Sequence, residues 1–168
     1  MYSDMHYLRS RSNNTIRALL ISFSAINIKH FTKHYTPEHL FQFENIQKVT
    51  FAGYGYFSNN FGSVISAYGS TIFLRDSIHF YKNSGDKGGC INLSGQSLLY
   101  FMDNVKATFK DNHAFLFGGA IYTHTYPHEI CSIQVMDFND AKNRTITMTG
   151  NTALLAGNAI YALSLIHI

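Results

Sequence analysis

The stretch Ala107 to Thr123, ATFKDNHAFLFGGAIYT, contains a unit that recurs in the same order elsewhere in the chain. The unit places an aromatic or large apolar residue three positions before an Asn, and then adds a small-residue pair, one more small residue and an Ile. Four copies occur, and one of them is blurred. Their leading residue, Asn and Ile are Phe109, Asn112 and Ile121; Phe80, Asn83 and Ile91; Met148, Asn151 and Ile160; and, in the blurred copy, Tyr56, Asn59 and Ile65.

Each unit joins two short apolar alternations through a polar corner, which is the period-two pattern of half-buried strands. Ile78 and Phe80 share one face of the first strand, and Ile91 and Leu93 share one face of the next. The Ile positions of successive units are 26, 30 and 39 residues apart, as expected for a repeating supersecondary unit. A short strand cannot bury its apolar face alone, so the units are predicted to stack as parallel strands.

The repeated Asn and Gly residues have structural explanations. An Asn at each corner tolerates left-handed backbone and can bond neighbouring backbone groups or its equivalent one rung away. Glycine pairs allow a turn at positive φ and let adjacent rungs approach closely. Turn chemistry accounts for all of them, so none is interpreted as a ligand or a catalytic residue.

The predicted fold class is all-β, a single-stranded right-handed parallel β-helix of about four or five rungs with an aliphatic and aromatic interior. Residues 15–162 are assigned to one solenoid domain. Residues 1–14 are expected to be poorly ordered or a piece of a truncated rung. Residues 163–168 depart from the repeat, and we interpret them as a non-native tail on a chain that is a fragment of a longer solenoid.

The run ALLISFSAINIKHF, Ala18 to Phe31, is interrupted by polar residues and is too short to span a bilayer. It lacks a convincing cleavage site and is therefore not interpreted as a signal peptide. Two strands around a corner at Ser24 and Ala25, with Ile26 and Ile28 pointing inward, are predicted instead, which makes this segment an early rung.

Further along, Leu40–Phe51 parallels Leu98–Phe109 almost position for position, which predicts equivalent strands and corners in the two segments. Thr32–His39 contains a Thr-Pro pair and is interpreted as a loop. The insertion Thr123–Cys131 is expected to project from one side of the solenoid, where repeat proteins usually carry recognition.

Composition fits a strand-rich protein and excludes some functions. The 168 residues include fourteen Phe and eleven Tyr but only two Pro, so the corners must depend on Asn, Ser and Gly. A formal net charge of +3 is too small to indicate nucleic-acid binding. The only local excess of positive charge, Arg9, Arg11 and Arg17, is interpreted as a solvated segment.

The tandem FxxN and GGAI motifs resemble the repeats of the chlamydial polymorphic outer membrane proteins, which are autotransporter adhesins. Similar repeats occur in uncharacterised invertebrate β-helix proteins, and Cys131–Ala162 looks more like that group. The resemblance covers roughly Val49–Ala162, with departures at Ser63, Asn158 and Met148. It implies a surface or secreted β-helix with an adhesive or scaffolding role, and it carries over no catalytic residue.

One acidic arrangement could support chemistry. Glu44, Asp76 and Asp103 each stand at a predicted corner and could stack into a column, with Asp137 or Asp140 as a further member. Polysaccharide lyases and glycosidases need such clustered carboxylates, to hold Ca²⁺ or to supply an acid and a base. The competing interpretation, ordinary corner residues bonded to nearby backbone, is favoured because Asp is a standard turn former.

Metal and cofactor sites have little support in the sequence. His124 and His128 flank the long insertion, but only Glu129 lies nearby as a third ligand, so no metal site is predicted. Cys90 and Cys131 belong to different rungs without a CxxC spacing, and whether they pair is left open. A GxSxG elbow and a P-loop are both absent, and no cofactor is predicted.

Two functional hypotheses follow. The first is a non-enzymatic, extracellular or cell-surface solenoid with an adhesion, matrix or scaffolding role and an unknown protein or glycan ligand, without nucleic-acid binding or a membrane span in this chain. The second is a carbohydrate-active β-helix, lyase-like or glycosidase-like, that uses the acidic corner residues. Three sequons, which would matter only in a secreted eukaryotic protein, begin at Asn13, Asn92 and Asn143.

Overall fold

A computed structural model describes residues 20–29, 39–124, 132–135 and 144–163, and in these ranges the chain forms strands and no helix. The strands, numbered in chain order, are β1 Leu20–Lys29, β2 Phe41–Glu44, β3 Lys48–Ser58, β4 Ile65–Tyr68, β5 Thr71–Leu74, β6 Ser77–Tyr81, β7 Ser84–Lys87, β8 Ile91–Ser94, β9 Leu98–Phe101, β10 Lys106–Lys110, β11 His113–Phe117, β12 Ile121–His124, β13 Ser132–Val135, β14 Thr145–Thr149, β15 Thr152–Ala153 and β16 Ile160–Leu163.

These strands wind into a parallel β-solenoid. They form one sheet of eight strands, one of five (β16-β12-β8-β4-β2) and one of three (β15-β11-β7). In the five-stranded sheet each neighbour comes from the next turn, so its five strands mark five turns. The eight-stranded sheet curls around a corner, because the first part of β3 pairs with β5 while its second part pairs with β6. The predicted all-β parallel solenoid is confirmed. The right-handed winding stays a prediction, based on the general preference of parallel crossovers.

The Ile of each repeat lies in one column of the five-stranded sheet. Ile65 pairs with Ile91, Ile91 with Ile121, and Ile121 with Ile160. The first three are completely buried, as the alternation in the sequence predicts. Each therefore packs on its equivalent in the next turn, so one residue type repeated in the sequence becomes a continuous apolar column.

The aromatic residue of each repeat forms a second column. Phe57 pairs with Phe80, Phe80 with Phe109, and Phe109 with Met148. The ring centroids of Phe57 and Phe80 are 5.4 Å apart, and those of Phe80 and Phe109 are 4.8 Å apart in stacked geometry. Met148 continues the column as a partly buried side chain against the core, so its difference from Phe preserves the packing.

Asparagine forms a third column, and its side chains bond from turn to turn. Asn60, Asn83, Asn112 and Asn151 are all buried. Oδ1 of Asn112 accepts hydrogen bonds from the backbone N (2.9 Å) and Nδ2 (3.1 Å) of Asn83. Nδ2 of Asn112 donates to Oδ1 of Asn151 (2.9 Å) and to the carbonyl oxygen of Phe80 (3.1 Å). Both amide hydrogens and two acceptor positions of this buried side chain are thus used.

This Asn ladder confirms the predicted bonding to an equivalent residue one rung away, but the predicted left-handed backbone is found one residue earlier. Positive φ falls on the residues just before the ladder, namely Asn59 (53°), Lys82 (52°), Asp111 (56°) and Gly150 (64°). The ladder side chains point into the solenoid, where they bond across turns, and the preceding residue makes the bend.

The blurred repeat was assigned one residue too early. Phe57 and Asn60, rather than Tyr56 and Asn59, occupy the aromatic and Asn columns. Tandem Tyr-Phe and Asn-Asn pairs make both registers possible in the sequence. Burial separates them, because a shift of one residue turns the side chain to the opposite face of the sheet, and the alternative assignment would put Phe57 outside.

The two glycines of each pair have different roles. The first glycine, at Gly88, Gly118 and Gly157, has positive φ between 65° and 72°. At Gly157 the second position of the pair is Asn158. The second allows close approach of turns: a Cβ on Gly119 would collide with the carbonyl oxygens of Asn158 and Thr152. Both predicted uses of glycine are therefore present, and they are divided between the two positions.

The departure from the Gly pair at Ser63 is accommodated by the next turn. The hydroxyl of Ser63 donates to the carbonyl oxygen of Lys87 at 3.0 Å. Gly85 stands opposite, where a Cβ would lie 2.9 Å from the Ser63 hydroxyl oxygen. A glycine one turn later therefore provides the space that Ser63 needs.

The similarity between Leu40–Phe51 and Leu98–Phe109 predicted a strand, a corner and a strand in each segment, and this is confirmed: Asn45 and Asn104, at the two corners, have positive φ of 55° and 61°. The segments nevertheless begin in different sheets. Phe41 pairs with Ile65 in the five-stranded sheet, whereas Leu98–Phe101 forms β9 in the eight-stranded sheet. Every strand of the solenoid alternates with the same period, so two segments from different sheets can match in pattern.

The early rung is confirmed. β1 pairs with β3 and its register shifts between Ser24 and Ile26, at the expected corner, although the strand is continuous. The inward orientation predicted for Ile26 and Ile28 falls on side chains outside the described set. Residues 1–14, most of the 32–39 loop, residues 125–131 of the insertion and residues 164–168 of the tail also lie outside the described residues.

We expect Asn112→Ala to lower the free energy of unfolding by about 3–5 kcal/mol, because it leaves several buried partners of one side chain unsatisfied. Asn59→Gly is the matched control, since Asn59 is exposed and has the positive φ that glycine adopts freely. Equilibrium urea denaturation measures both. A loss for Asn112→Ala no larger than that of the control would show that the Asn ladder contributes little.

Gly119→Ala is expected to cost about 3 kcal/mol, the upper end for overpacking, because its Cβ would meet backbone atoms of the next turn. Gly55→Ala is the control: its Cβ would meet the flexible end of Ile78, with Cδ1 at 2.9 Å, and should cost about 1 kcal/mol. Thermal unfolding followed by circular dichroism compares them. Equal losses at the two positions would contradict a special requirement for glycine at Gly119.

Candidate functional site

The acidic column is only partly present. Asp76 and Asp103 lie at the same corner of successive turns, after β5 and β9. Glu44 ends β2 in the five-stranded sheet and pairs with Tyr68 there, so it stands at a different corner. The hypothesis that Glu44 could stack with Asp76 and Asp103 was wrong, because β2 and β9 have similar sequence patterns but lie in different sheets. Asp137 and Asp140 lie outside the described residues.

The three carboxylates take part in local bonds. Asp76 has positive φ, and its Oδ2 accepts a hydrogen bond of 2.7 Å from the backbone N of Gly53 on the preceding turn. Asp103 pairs with Arg144 at 2.9 Å. Glu44 accepts a hydrogen bond from Gln42 at 2.8 Å. These contacts with nearby backbone and side chains are typical of corner residues.

The histidine and cysteine candidates are divided between described and undescribed residues. His124 ends β12, where its ring stacks on Tyr122 with centroids 6.2 Å apart. His128, Glu129 and Cys131 lie outside the described residues. Among the residues that the structure describes, no three His, Cys, Asp or Glu side chains lie close enough together to hold a metal ion.

Cys90 is a buried free thiol in the predicted small-residue slot. Its backbone N donates to the carbonyl oxygen of Ala120, whose own N donates to that of Ala159. Burial raises the pKa of the Cys90 thiol well above its ordinary value, although a hydrogen bond with Asn83 acts in the opposite direction. A thiol that stays protonated inside the core is a packing residue rather than a nucleophile.

A small polar cleft opens at the corner between β7 and β8. Its volume is about 240 Å³, and its lining includes Ser63, Asp86, Lys87 and Asn92. Among the described residues that line it, Asp86 is the single carboxylate, whereas glycoside hydrolysis normally uses two. The described lining is therefore polar but does not supply the pair of carboxylates that the carbohydrate-active hypothesis requires.

A more extensive feature lies on the outside of the eight-stranded sheet, where the second half of β3 pairs with β6, β6 pairs with β10, and β10 pairs with β14. The inward positions of these strands carry the aromatic column, so the alternate positions point outward. We define the tyrosine–lysine face by seven outward residues of β3, β6 and β10: Tyr54, Tyr56, His79, Tyr81, Lys106, Thr108 and Lys110.

Parallel register arranges this face in columns along the solenoid axis. The middle column runs from Tyr56 through His79 and Thr108 to Thr147. A second column joins Tyr81 to Lys110. Adjacent strands are about 4.8 Å apart, so neighbours within a column are close enough to contact one extended ligand together.

Aromatic rings are in contact across the face. The ring of His79 lies 5.5 Å from that of Tyr54 and 6.4 Å from that of Tyr56, between centroids. The amine of Lys110 is 5.9 Å from the centre of the Tyr81 ring, and that of Lys82, at the rim, is 5.0 Å from it. These cation–π contacts hold the lysines beside aromatic surface while leaving them exposed.

A shallow depression of about 270 Å³ lies in the middle of the face. It is lined by Tyr56, His79, Phe80, Tyr81, Thr108 and Lys110. Hydroxyl groups, aromatic rings and an ammonium group therefore converge on one concave surface.

The charge of the face is positive at neutral pH. Its strands carry Lys106 and Lys110 and no carboxylate in the segments 54–58, 77–81, 106–110 and 145–149. A hydrogen bond with Tyr81 raises the pKa of Lys82, and Asp111 at the same rim adds to the effect, so Lys82 also stays protonated. Burial lowers the pKa of His79, which keeps that ring largely neutral.

Sequence reasoning did not identify this face. The signal was present in the outward positions of the FxxN strands, which read Ser-His-Tyr in β6 and Lys-Thr-Lys in β10. Finding it required the correct register of β3, because the assignment of Tyr56 to the inward column removed one of its aromatic residues. It also required knowing which strands are neighbours.

The stacked turns define a parallel β-solenoid repeat protein. Within it, residues 106–124 match the family model of the Chlamydia polymorphic membrane protein (Chlamydia_PMP) repeat. The match extends from the start of β10 to the end of β12 and includes Asn112 and the Gly118-Gly119 pair. The resemblance to chlamydial repeats is thereby confirmed for this turn.

No curated protein and no solved structure matches the chain. As to membrane spans, the described residues contain no helix with the length and apolarity needed to cross a bilayer.

His79 should make stability depend on pH. Its pKa in the folded chain is lowered from 6.5 by burial, so the unfolded chain binds more protons just below that pH. The contribution of His79 to the free energy of unfolding is therefore fully present above pH 6.5 and decreases as the pH falls. Urea denaturation between about pH 8 and pH 5 should show a smaller decrease for His79→Gln than for the wild type. Identical pH dependence would exclude a contribution from His79.

Proposed function

We propose that this chain is a non-enzymatic surface or secreted solenoid protein that makes adhesive, matrix or scaffolding contacts through the tyrosine–lysine face. The observation that supports this most directly is the face itself, a set of aromatic and cationic side chains outside the core. The interior columns explain why the chain folds, and they do not require Tyr56, Tyr81 or Lys110 on the outer surface. Exposed side chains of this kind are typical of recognition surfaces.

The location at a surface is supported by the repeat. Residues 106–124 match a repeat of a polymorphic membrane protein, which suggests a cell-surface or extracellular setting. A solenoid suits such a setting, because each turn repeats the same outward positions and so produces a long contact surface. The insertion Thr123–Cys131 remains a second candidate contact region, and most of it lies outside the described residues.

The non-enzymatic part of the proposal is supported by the bonds of the acidic residues. Asp76 bonds the backbone of Gly53 and Asp103 pairs with Arg144, so each carboxylate already has a structural partner. A lyase or glycosidase would need carboxylates free to act on a sugar in an open groove.

The carbohydrate-active alternative keeps one observation in its favour, the position of Asp76 and Asp103 at one corner of successive turns. It predicts release of reducing sugar or unsaturated product from an acidic polysaccharide. It also predicts that Asp76→Asn abolishes this release while the fold persists. Activity in the wild type that is lost in Asp76→Asn would favour the alternative over our proposal.

The adhesion proposal predicts that beads coated with the purified chain adhere to cultured animal cells or to their deposited matrix, well above albumin-coated beads. The double variant Lys106→Glu/Lys110→Glu should reduce adhesion at least about tenfold, which corresponds to about 1.4 kcal/mol. Both lysines are exposed, so their reversal should leave the solenoid intact.

The matched control is Lys48→Glu/Arg75→Glu, which makes the same change in charge on exposed residues associated with β3 and β5. It should adhere like the wild type. Absence of wild-type adhesion would overturn the proposed function. An equal loss of adhesion in both double variants would show that net charge, rather than the tyrosine–lysine face, is responsible.

A further inference from the structure

We infer that the ligand of the tyrosine–lysine face is an anionic polysaccharide carrying carboxylate or sulfate groups. This inference rests on the proposed function and adds the chemical class of its ligand. It follows from three properties of the face: its positive charge, its partly exposed aromatic rings and the hydroxyl groups beside them.

The charges are complementary to a polyanion with spaced negative groups. Lys106 and Lys110 are four residues apart on β10, a separation of about 13 Å along the strand. Lys82 adds a third cation near the Lys110 end, beside the same Tyr81 ring. The three cations are thus spread along β10 and the turn after β6, rather than clustered at one position.

Carboxylates surround the face without entering it. Asp76 and Asp103, at the corner before β6 and β10, are bonded to Gly53 and Arg144. Asp111, at the opposite rim, interacts with Lys82. An anion placed over Lys106 and Thr108 would therefore meet positive charge and hydroxyl groups.

The aromatic rings favour a sugar over a simple anion. A sugar ring has apolar C–H faces and polar edges, so it can pack on a tyrosine ring while its hydroxyl groups bond polar neighbours. Tyr54 is about half exposed, at 52%, and Tyr56 and Tyr81 are partly exposed. Thr108 and Thr147 supply hydroxyl groups in the column that continues from Tyr56.

The same observations count against a protein partner or a nucleic acid. Stable protein interfaces have a desolvated apolar centre, whereas the depression in this face contains ammonium, imidazole and hydroxyl groups. Nucleic acid needs a denser array of cations, and the chain has a net charge of only +3. A shallow, mildly basic, aromatic surface best fits a flexible chain with intermittent negative charge.

The test is isothermal titration of the full chain with four polymers. Polygalacturonate carries carboxylates on sugars, dextran sulfate carries sulfates on sugars, neutral dextran has no charge, and polyglutamate has charge without sugar. Binding of at least one charged polysaccharide is expected, weaker at about 0.5 M NaCl because salt screens the charges. Neutral dextran and polyglutamate should bind at least about tenfold more weakly.

Two pairs of variants locate the site. Lys106→Glu/Lys110→Glu should lose at least about tenfold in affinity, and Lys48→Glu/Arg75→Glu should not. Tyr81→Thr should also weaken binding, whereas Tyr100→Thr, on the other part of the same sheet where Tyr100 stacks on Phe73, should bind normally. Circular dichroism of each variant confirms that the solenoid is retained.

Three results would overturn the inference: no binding of either charged polysaccharide, equal affinity for polyglutamate, or equal loss in the face and control variants. These failures are separate from failure of the proposed function. If coated beads adhere through the face but no polysaccharide binds, adhesion stands and the ligand class is wrong. If the beads do not adhere at all, the proposed function fails, whatever the polymers show.

Discussion

Turn-to-turn hydrogen bonding by the buried Asn side chains is the constraint on which the other features depend. An amide inside an apolar core is costly unless both its donors and its acceptor are satisfied. Asn112 meets that requirement only when Asn83 and Asn151 lie directly beside it, one on each neighbouring turn. A slip of one residue would already turn Phe and Ile out of the core. The polar column also penalises a slip of two residues, which would leave those side chains facing inward but separate the Asn partners.

A fixed register has consequences on both sides of each strand. Inward positions become columns of Phe, Ile and Asn, and outward positions become columns of whatever residues the sequence places between them. Tyr56 and His79 are neighbours because Phe57 and Phe80 are neighbours. The core thus determines which surface residues meet, without restricting their chemistry. In this way a strict repeat can present a surface that does not repeat, with tyrosine in the early turns and lysine and threonine in the later ones.

The sequence was sufficient for the fold because the repeat carries its own evidence: FxxN and the glycine pair occur several times, and their spacing permits only stacked parallel turns. It was insufficient where a local pattern had two interpretations. Tyr56-Phe57 and Asn59-Asn60 allow two registers that differ by one residue, and only packing chooses between them. Glu44 looked equivalent to Asp103 because strands of all three sheets alternate alike. The candidate site was the least predictable feature from sequence. A surface column contains residues that are 20 to 40 positions apart, and it is defined by strand pairing rather than by any motif.

The location of function follows from this division of roles. The corner residues have structural roles. They include the residues with positive φ, the glycine pairs and carboxylates such as Asp76 that bond the adjacent backbone. Substituting a corner residue disturbs the turn as well as any site there. Outward strand positions carry no such requirement, because their backbone groups are already bonded between turns and their side chains leave the core untouched. A repeat protein that must both stack and bind can change these positions most freely, and it is on such positions of β3, β6 and β10 that the aromatic rings and lysines of this chain lie together.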